Sequence, residues 1–265
     1  MLIRDIDTLS EMLIVEELQK EIWGVADREI LPALEMVPVK KVGGLLLGAF
    51  DGEQMIGFAF AFPGFEDGHP FLHSDMVAVK SAYRSHGIGY QLKLAQRVQA
   101  LQKGIDKITW TFDPLQSLNA RLNFGKLGGI SDRYYINFYG ETTSPLHSTG
   151  TDRLWVTWNL ESENVKARIA GNEQVNSEMN GLPSLVTINE KQEPVEQTLK
   201  VDSVVCIDIP ANINELTEHQ PNIGQRWRLA TRQAFTQALD DGFVIEDFLL
   251  IEDQQRRFGR YLLRR

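Results

Sequence analysis

The stretch from Val77 to Gly104 constrains the fold more than any other. A valine-rich run, Val77-Ala78-Val79, passes through Lys80-Ser81-Ala82-Tyr83 into Arg84-Ser85-His86-Gly87-Ile88-Gly89-Tyr90. Ile88, Leu92, Ala95, Val98 and Leu101 then recur at helical spacing until Gly104 stops them. This pattern reads as strand, glycine loop, helix. The start of a helix presents backbone N–H groups that have no intrahelical acceptor, and the helix dipole adds partial positive charge there. Gly87 and Gly89 allow close approach to the backbone, and Arg84 adds a guanidinium suited to phosphate oxygens, so the loop reads as an anion site. The bland alternative is a tight turn whose glycines serve backbone geometry alone.

Composition narrows what surrounds this unit. The chain has 265 residues, 43% hydrophobic and 24% charged, enough for one large or two modest domains with cores of their own. Cys206 is the sole cysteine, which excludes an intramolecular disulfide framework and points to a reducing compartment, with the thiol buried among valines and isoleucines. Met1-Leu2-Ile3-Arg4-Asp5 carries no secretory pattern. The least polar run, Val42 to Phe50, falls short of the ~20 residues of a spanning helix. A cytoplasmic protein is expected, away from the membrane. The net charge of −9 argues against general nucleic-acid binding and favours neutral or cationic substrates.

Thr8-Leu9-Ser10-Glu11 has capping-box spacing and opens a helix predicted from about Thr8 to Trp23. Leu45–Phe50 and Met55–Phe60 flank Asp51-Gly52 as a hairpin. Strands are predicted at Leu72–Val79, Ile105–Phe112, Ile136–Gly140 and Leu154–Leu160, with a short helix at Ser117–Lys126. From Glu161 to Lys200 the composition turns polar, as in a linker or extended arm, with one possible strand at Leu185–Ile188. Order resumes with a strand at Val204–Ile209, a helical stripe from Ile223 to Ala238 and a strand at Phe243–Ile251.

Three phosphate-binding loops compete for the opening motif. A dinucleotide fingerprint needs a third glycine where Leu92 stands, and a P-loop needs Gly-Lys-Ser or Gly-Lys-Thr, which is absent. The third is an acyl-CoA pyrophosphate loop. Arg-x-x-Gly-x-Gly after Val77-Ala78-Val79-Lys80-Ser81-Ala82-Tyr83 resembles the acetyl-CoA motif of the GNAT superfamily of N-acyltransferases, with Ser81 where that pattern often has proline. Ser117-Leu118-Asn119-Ala120-Arg121-Leu122-Asn123-Phe124-Gly125-Lys126-Leu127-Gly128-Gly129 is similar to the family's late motif, and the whole block resembles a subgroup with an appended C-terminal region. The resemblance implies an α/β (α+β) fold: a mixed, mostly antiparallel central sheet flanked by helices, with a smaller C-terminal α/β extension. It implies a GNAT domain over residues 1–160, a linker or arm over 161–200, and a strand-helix-strand extension over 201–265, possibly a degenerate GNAT-like half.

The activity implied is acyl transfer, most simply acetyl transfer from acetyl-CoA, to a small-molecule amine by direct attack in a ternary complex, without a metal. The protein is expected to be a monomer or homodimer. Amides around Val77, Ala78 and Val79 would meet the pantetheine and thioester; those of Arg84, Ser85, His86, Gly87, Ile88, Gly89 and Tyr90 would meet the pyrophosphate. His73 and Asp75, sharing a face with Val77 and Val79 by period two, are the candidate bases, an imidazole of ordinary pKa near ~6.5 being able to accept a proton at neutral pH. Asp113, in an Asp-Pro turn signal, is a third candidate. Ser117, Asn119, Asn123 and Phe124 occupy the late motif's cofactor-facing positions, and Phe124, where the family has its tyrosine acid, has no proton to give. Tyr134, Tyr135 or Tyr139 are candidate substitutes, each with packing as its plainer reading. A non-catalytic acyl-CoA sensor is the rival function. His69, His147 and His219 have no metal-site company; Arg226 and Arg228 read as surface charges flanking Trp227, and Arg256, Arg257, Arg260, Arg264 and Arg265 as a solvated tail.

Overall fold

The computed structural model describes residues 1–140, 149–171, 179, 181–199, 202–252 and 256–265; His147 lies outside them. The chain divides into two compact units, residues 1–110 and, from Thr111, the remainder of the described chain.

The first unit opens with β1 (Leu2–Asp5) and α1 (Leu9–Trp23). Thr8 caps α1: its hydroxyl accepts from the Glu11 amide at 3.2 Å while the Glu11 carboxylate accepts from the Thr8 amide at 3.3 Å. The Arg4 guanidinium, 2.7 Å from Glu11, is the main cause holding that carboxyl down at about 2. After α2 (Ala33–Lys41), β2 (Leu45–Asp51) and β3 (Gln54–Glu66) pair across the Asp51-Gly52 turn. β3 continues into a long antiparallel pair with β4 (His69–Val79). α3 (Ile88–Gln102) leads to β5 (Lys107–Phe112), which lies parallel to β4. Strands β1 to β5 stand side by side in chain order.

Strand alternation divides this unit's core between two faces. Leu46, Phe58, Phe60 and Ala78 pack with Val15 and Leu18 of α1 and Met36 of α2. Leu47, Ala49, Ile56 and Ala59, with Val77 and Val79, pack against Ile88 and Leu92 of α3.

In the second unit, α4 (Ser117–Ala120) runs into a π-type turn at Arg121–Lys126, followed by β6 (Ile130–Tyr135), β7 (Arg153–Asn159) and α5 (Glu163–Ile169). β8 (Val186–Ile188) and β9 (Pro194–Glu196) form a two-stranded ribbon. Then come β10 (Val204–Pro210), α6 (Ile213–His219), α7 (Pro221–Asp240), β11 (Val244–Glu252) and β12 (Arg257–Arg264). The strand order is β7-β6-β11-β12-β10.

Several expectations change. Ile136–Gly140 is a turn, not a strand, and the strand is Ile130–Tyr135: Asn137 has φ 49°, Gly140 has φ 70°, and the Gly140 amide closes on the Asn137 carbonyl at 2.8 Å. The segment read as a linker contains α5 and the β8–β9 ribbon. The arginine-rich end is strand β12, with Phe258, Tyr261, Leu262 and Leu263 buried and Arg260 paired to Asp208 at 2.7 Å. Arg228 is no surface charge: it is fully buried and its Nη2 holds both Asp113 oxygens, at 2.8 and 2.7 Å. The stripe of α3 also differs, because Ile88, Leu92, Gln96 and Ala100 are buried while Val98 is exposed.

Removing the α1 cap by Thr8→Ala should cost about 1 kcal/mol, read as a lower denaturation midpoint at unchanged slope. Arg228→Ala strands a carboxylate in a largely dry site and should cost about 3–5 kcal/mol; adding Asp113→Ala should restore part of that loss in a double-mutant cycle.

Candidate active site

The loop before α3 is shaped by its own short contacts. Ser81–Tyr83 forms one 3₁₀ turn, and the Tyr83 hydroxyl reaches Asp51 at 3.3 Å. Arg84 donates from Nε to the Val79 carbonyl at 3.2 Å, and the His86 Nδ1 lies 2.8 Å from the Arg84 carbonyl. Ser85 (φ 66°) and Gly87 (φ 76°) both take the left-handed conformation, which a glycine adopts without strain, and Gly87 is the N-cap residue of α3. The Gln91 amide is the first in this helix to close, on the Gly87 carbonyl at 3.0 Å. None of the amides from Ser85 to Tyr90 donates to an acceptor among the described residues. A Cβ added at Gly87 or Gly89 would meet nothing within 4 Å. Six consecutive bare amides, a helix N-terminus and an exposed guanidinium therefore converge on open space, the construction of an anion-binding nest.

Next to this loop, β4 and β5 pair over only two positions, Leu72↔Ile108 and His73↔Thr109. Both strands continue, yet the ladder ends. Beyond it, among the described residues, Met76 to Val79 pair with β3 alone, so every second residue's backbone N–H and C=O faces away from that partner. β4 also carries a bulge: Met76 faces Phe60 and His73 faces Phe62, leaving one extra residue in Ser74-Asp75. The bulge breaks the expected period of two. His73 does not share a face with Val77 and Val79; its ring lies 5.3 Å from that of Phe62, whereas the next residue, Ser74, bonds to Gln96 of α3.

The two candidate bases differ in character. His73 is buried and its Nδ1 lies 2.9 Å from Thr109 Oγ1. Burial first, and the positive charge of Lys93 second, lower its pKa to about 4, which makes it a weak base rather than the untuned imidazole expected. Asp75 is exposed, and partial desolvation by the protein around it raises its pKa. A carboxylate of raised pKa is a stronger base than an ordinary one.

The remaining candidates belong to the second unit and are tied into it. Ser117 donates to the Ala211 carbonyl, Asn123 is buried, and Asn119 is exposed. Phe124 is fully buried, its ring 5.9 Å from those of Phe112 and Tyr261. Tyr134 donates to Asp152 at 2.6 Å and stacks on Phe235; burial and that carboxylate raise its pKa far above the usual phenol range. Tyr135 packs edge-on against Trp155. Asp113 accepts from the Leu115 amide at 2.9 Å as well as from Arg228, the geometry of the turn rather than of a free base.

One cluster escaped the sequence: Ser74, Lys93 and Gln96, each buried, beside Trp110. Its signal was present, since Gln96 follows Leu92 by four residues and so shares the buried face.

Residues 13–128 match the model of the acetyltransferase (GNAT) family. Among solved structures, that of yncA from Salmonella typhimurium with its cofactor acetyl-CoA is 17% identical, with a TM-score of 0.50 over 61% of this chain and 95% of its own. Aminoglycoside 6'-acetyltransferase type Ii is 18% identical, with a TM-score of 0.48 over 61% of this chain and 99% of its own. The ribosomal-protein-S18-alanine N-acetyltransferase from Escherichia coli is 13% identical, with a TM-score of 0.48 over 61% and 94%. No match to a curated protein was found. The stretch that matches this family runs from within α1 through the glycine loop to the late motif.

Proposed function

We propose that the protein is an acyl-CoA-dependent N-acyltransferase that transfers an acetyl group, in the simplest case, to a small-molecule amine. The observation that carries this reading is the run of unpartnered amides from Ser85 to Tyr90 beside Arg84, at the end of a strand whose outer edge is unpaired. Such a nest matches a pyrophosphate, and the free edge of Met76–Val79 matches the amide-bearing arm of pantetheine, which can add to it as a strand would.

The bound cosubstrate would supply an acyl thioester. Backbone N–H groups of the open edge stabilise negative charge developing on an acyl oxygen. Asp75 takes the proton of the incoming ammonium, directly or through one water, because it is exposed and its pKa is raised, whereas His73 is buried and bonded to Thr109. His73, bonded to Thr109, orients the strand pair rather than accepting the proton. A general acid is dispensable, since a thiol of ordinary pKa ~8.5 leaves readily as thiolate. Net charge −9 suits a cationic acceptor.

A specific observation also supports the sensor reading: Phe124 has no acidic proton, and the Tyr134 hydroxyl is spent on Asp152. Incubation with acetyl-CoA and a panel of amines, following free thiol release, separates the two. Turnover with any amine supports the transferase; tight CoA binding without turnover supports the sensor.

Arg84→Glu and Gly89→Asp should each weaken CoA binding at least about tenfold by calorimetry, since both bring negative charge to a phosphate site; unchanged affinity in both would remove the loop assignment. Asp75→Asn should lower kcat about 100-fold or more. In the wild type the acid limb of kcat should lie above the ordinary carboxylate range, because a base whose pKa is raised is protonated, and activity lost, earlier as pH falls. His73→Ala should leave the position of that limb unchanged.

A further inference from the structure

The gap between β4 and β5 is bridged from outside the sheet. Ser74 directly follows the last paired residue of β4, and Trp110 directly follows that of β5. Lys93 of α3 reaches both: its Nζ donates to Ser74 Oγ at 2.8 Å and lies 3.7 Å from the centre of the Trp110 ring. Ser74 Oγ in turn donates to Gln96 Oε1 at 2.9 Å, and Gln96 Nε2 is buried without a partner. Lys93 is 4% exposed, Ser74 3% and Trp110 4%.

A lysine in this position is costly. It forms no ion pair among the described residues, and burial drives its pKa well below the usual range. His73 of β4 feels the positive charge of Lys93, while Thr109 and Trp110 of β5 and Gln96 of α3 carry no charge. An apolar side chain of the same length would fill the site without stranding an amine. What the amine adds is a connection between two strands at the point where their own hydrogen bonds stop.

We propose that Lys93 is a positioning residue of the acyl-transfer site, its amine pinning Ser74 to the opened end of the β4–β5 pair and so fixing the bulge that presents Asp75. The proposal rests on the acyltransferase reading given above. Lys93 touches no reacting atom; it acts through Ser74 on the next residue of the chain. The device resembles a rung of the ladder supplied by a side chain, and it leaves the backbone of Met76–Val79 free, which a continued β4–β5 ladder would not.

The test uses the full chain and the variants Lys93→Met, Ser74→Ala and the pair combined. Lys93→Met should keep or raise the unfolding midpoint, because it removes a buried amine at constant length, and should leave the CoA Kd within about twofold. It should nevertheless lower kcat at least about tenfold, a misplacement effect, and move the acid limb of the pH profile. Ser74→Ala should lower kcat and move the acid limb in the same way, with a lower unfolding midpoint because it strands the buried amine, and the double variant should be no worse in kcat than the worse single, as expected for one chain of action. Amide hydrogen exchange should quicken at residues 74–76 in Lys93→Met while residues 85–90 stay unchanged. Full kcat in Lys93→Met, additive losses in the double variant, or unaltered exchange at the bulge would each overturn the proposal. Absence of turnover in the wild type with every amine would instead overturn the acyltransferase reading, and the exchange experiment still judges the role of Lys93 at the bulge by itself.

Discussion

Two residue pairs hold β4 to β5 among the described residues, and the open edge of β4 depends on there being no third. A parallel ladder that ran on would consume the backbone groups of Met76 to Val79, and a sheet with both edges of that strand occupied would have nothing to offer an amide-bearing ligand. Ending the ladder leaves polar groups without partners, which a protein tolerates only where water or a ligand can satisfy them. The bulge at Ser74-Asp75 lies at the same level, one residue beyond His73↔Thr109. Breaking the alternation there separates His73, buried against Phe62 and bonded to Thr109, from Asp75, which stays exposed.

Burial has opposite effects on the two side chains that flank Ser74. It suppresses the charged form of each, so the imidazole becomes a poorer base and the carboxylate a better one. The second unit handles buried charge by pairing instead: Arg228 with Asp113, Arg168 with Asp247 at 2.6 Å, Arg260 with Asp208 and Arg232 with Asp152 at 2.8 Å. Each pair joins residues distant in sequence, and removing one member leaves a charge with nowhere to go. In that setting Lys93, buried with only a hydroxyl and an aromatic ring, stands out by contrast.

The regular elements of the first unit were legible because their signals are local. The capping box at Thr8 and Glu11, the Asp51-Gly52 turn and the glycine loop each depend on residues within a few positions of one another. α2 was not legible, since Pro38 inside it contradicts the usual helix signal and packing of Ala33 and Met36 overrides it. β12 was not legible either: five arginines over ten residues read as a solvated end until Tyr261 and Leu262 are seen buried and Arg260 is seen to have Asp208 as its partner. Ile136–Gly140 has strand-like aromatics, but the left-handed residues Asn137 and Gly140 decide for a turn.

By itself the sequence determined the strand, glycine loop and helix unit, because an arginine, two glycines and the first turn of a helix are contiguous and their signals are local. The motifs that resemble the acetyltransferase (GNAT) family are of the same local kind, and residues 13–128 match that family's model. Only the tertiary structure decided that His73 is buried while Asp75 is exposed, that Arg228 is a buried member of an ion pair, and that Lys93 meets Ser74 and Trp110. Each of these depends on a bulge, a burial or a contact across the sheet, and such quantities arise from which strands pair and where they stop pairing, information that residue spacing along the chain does not carry.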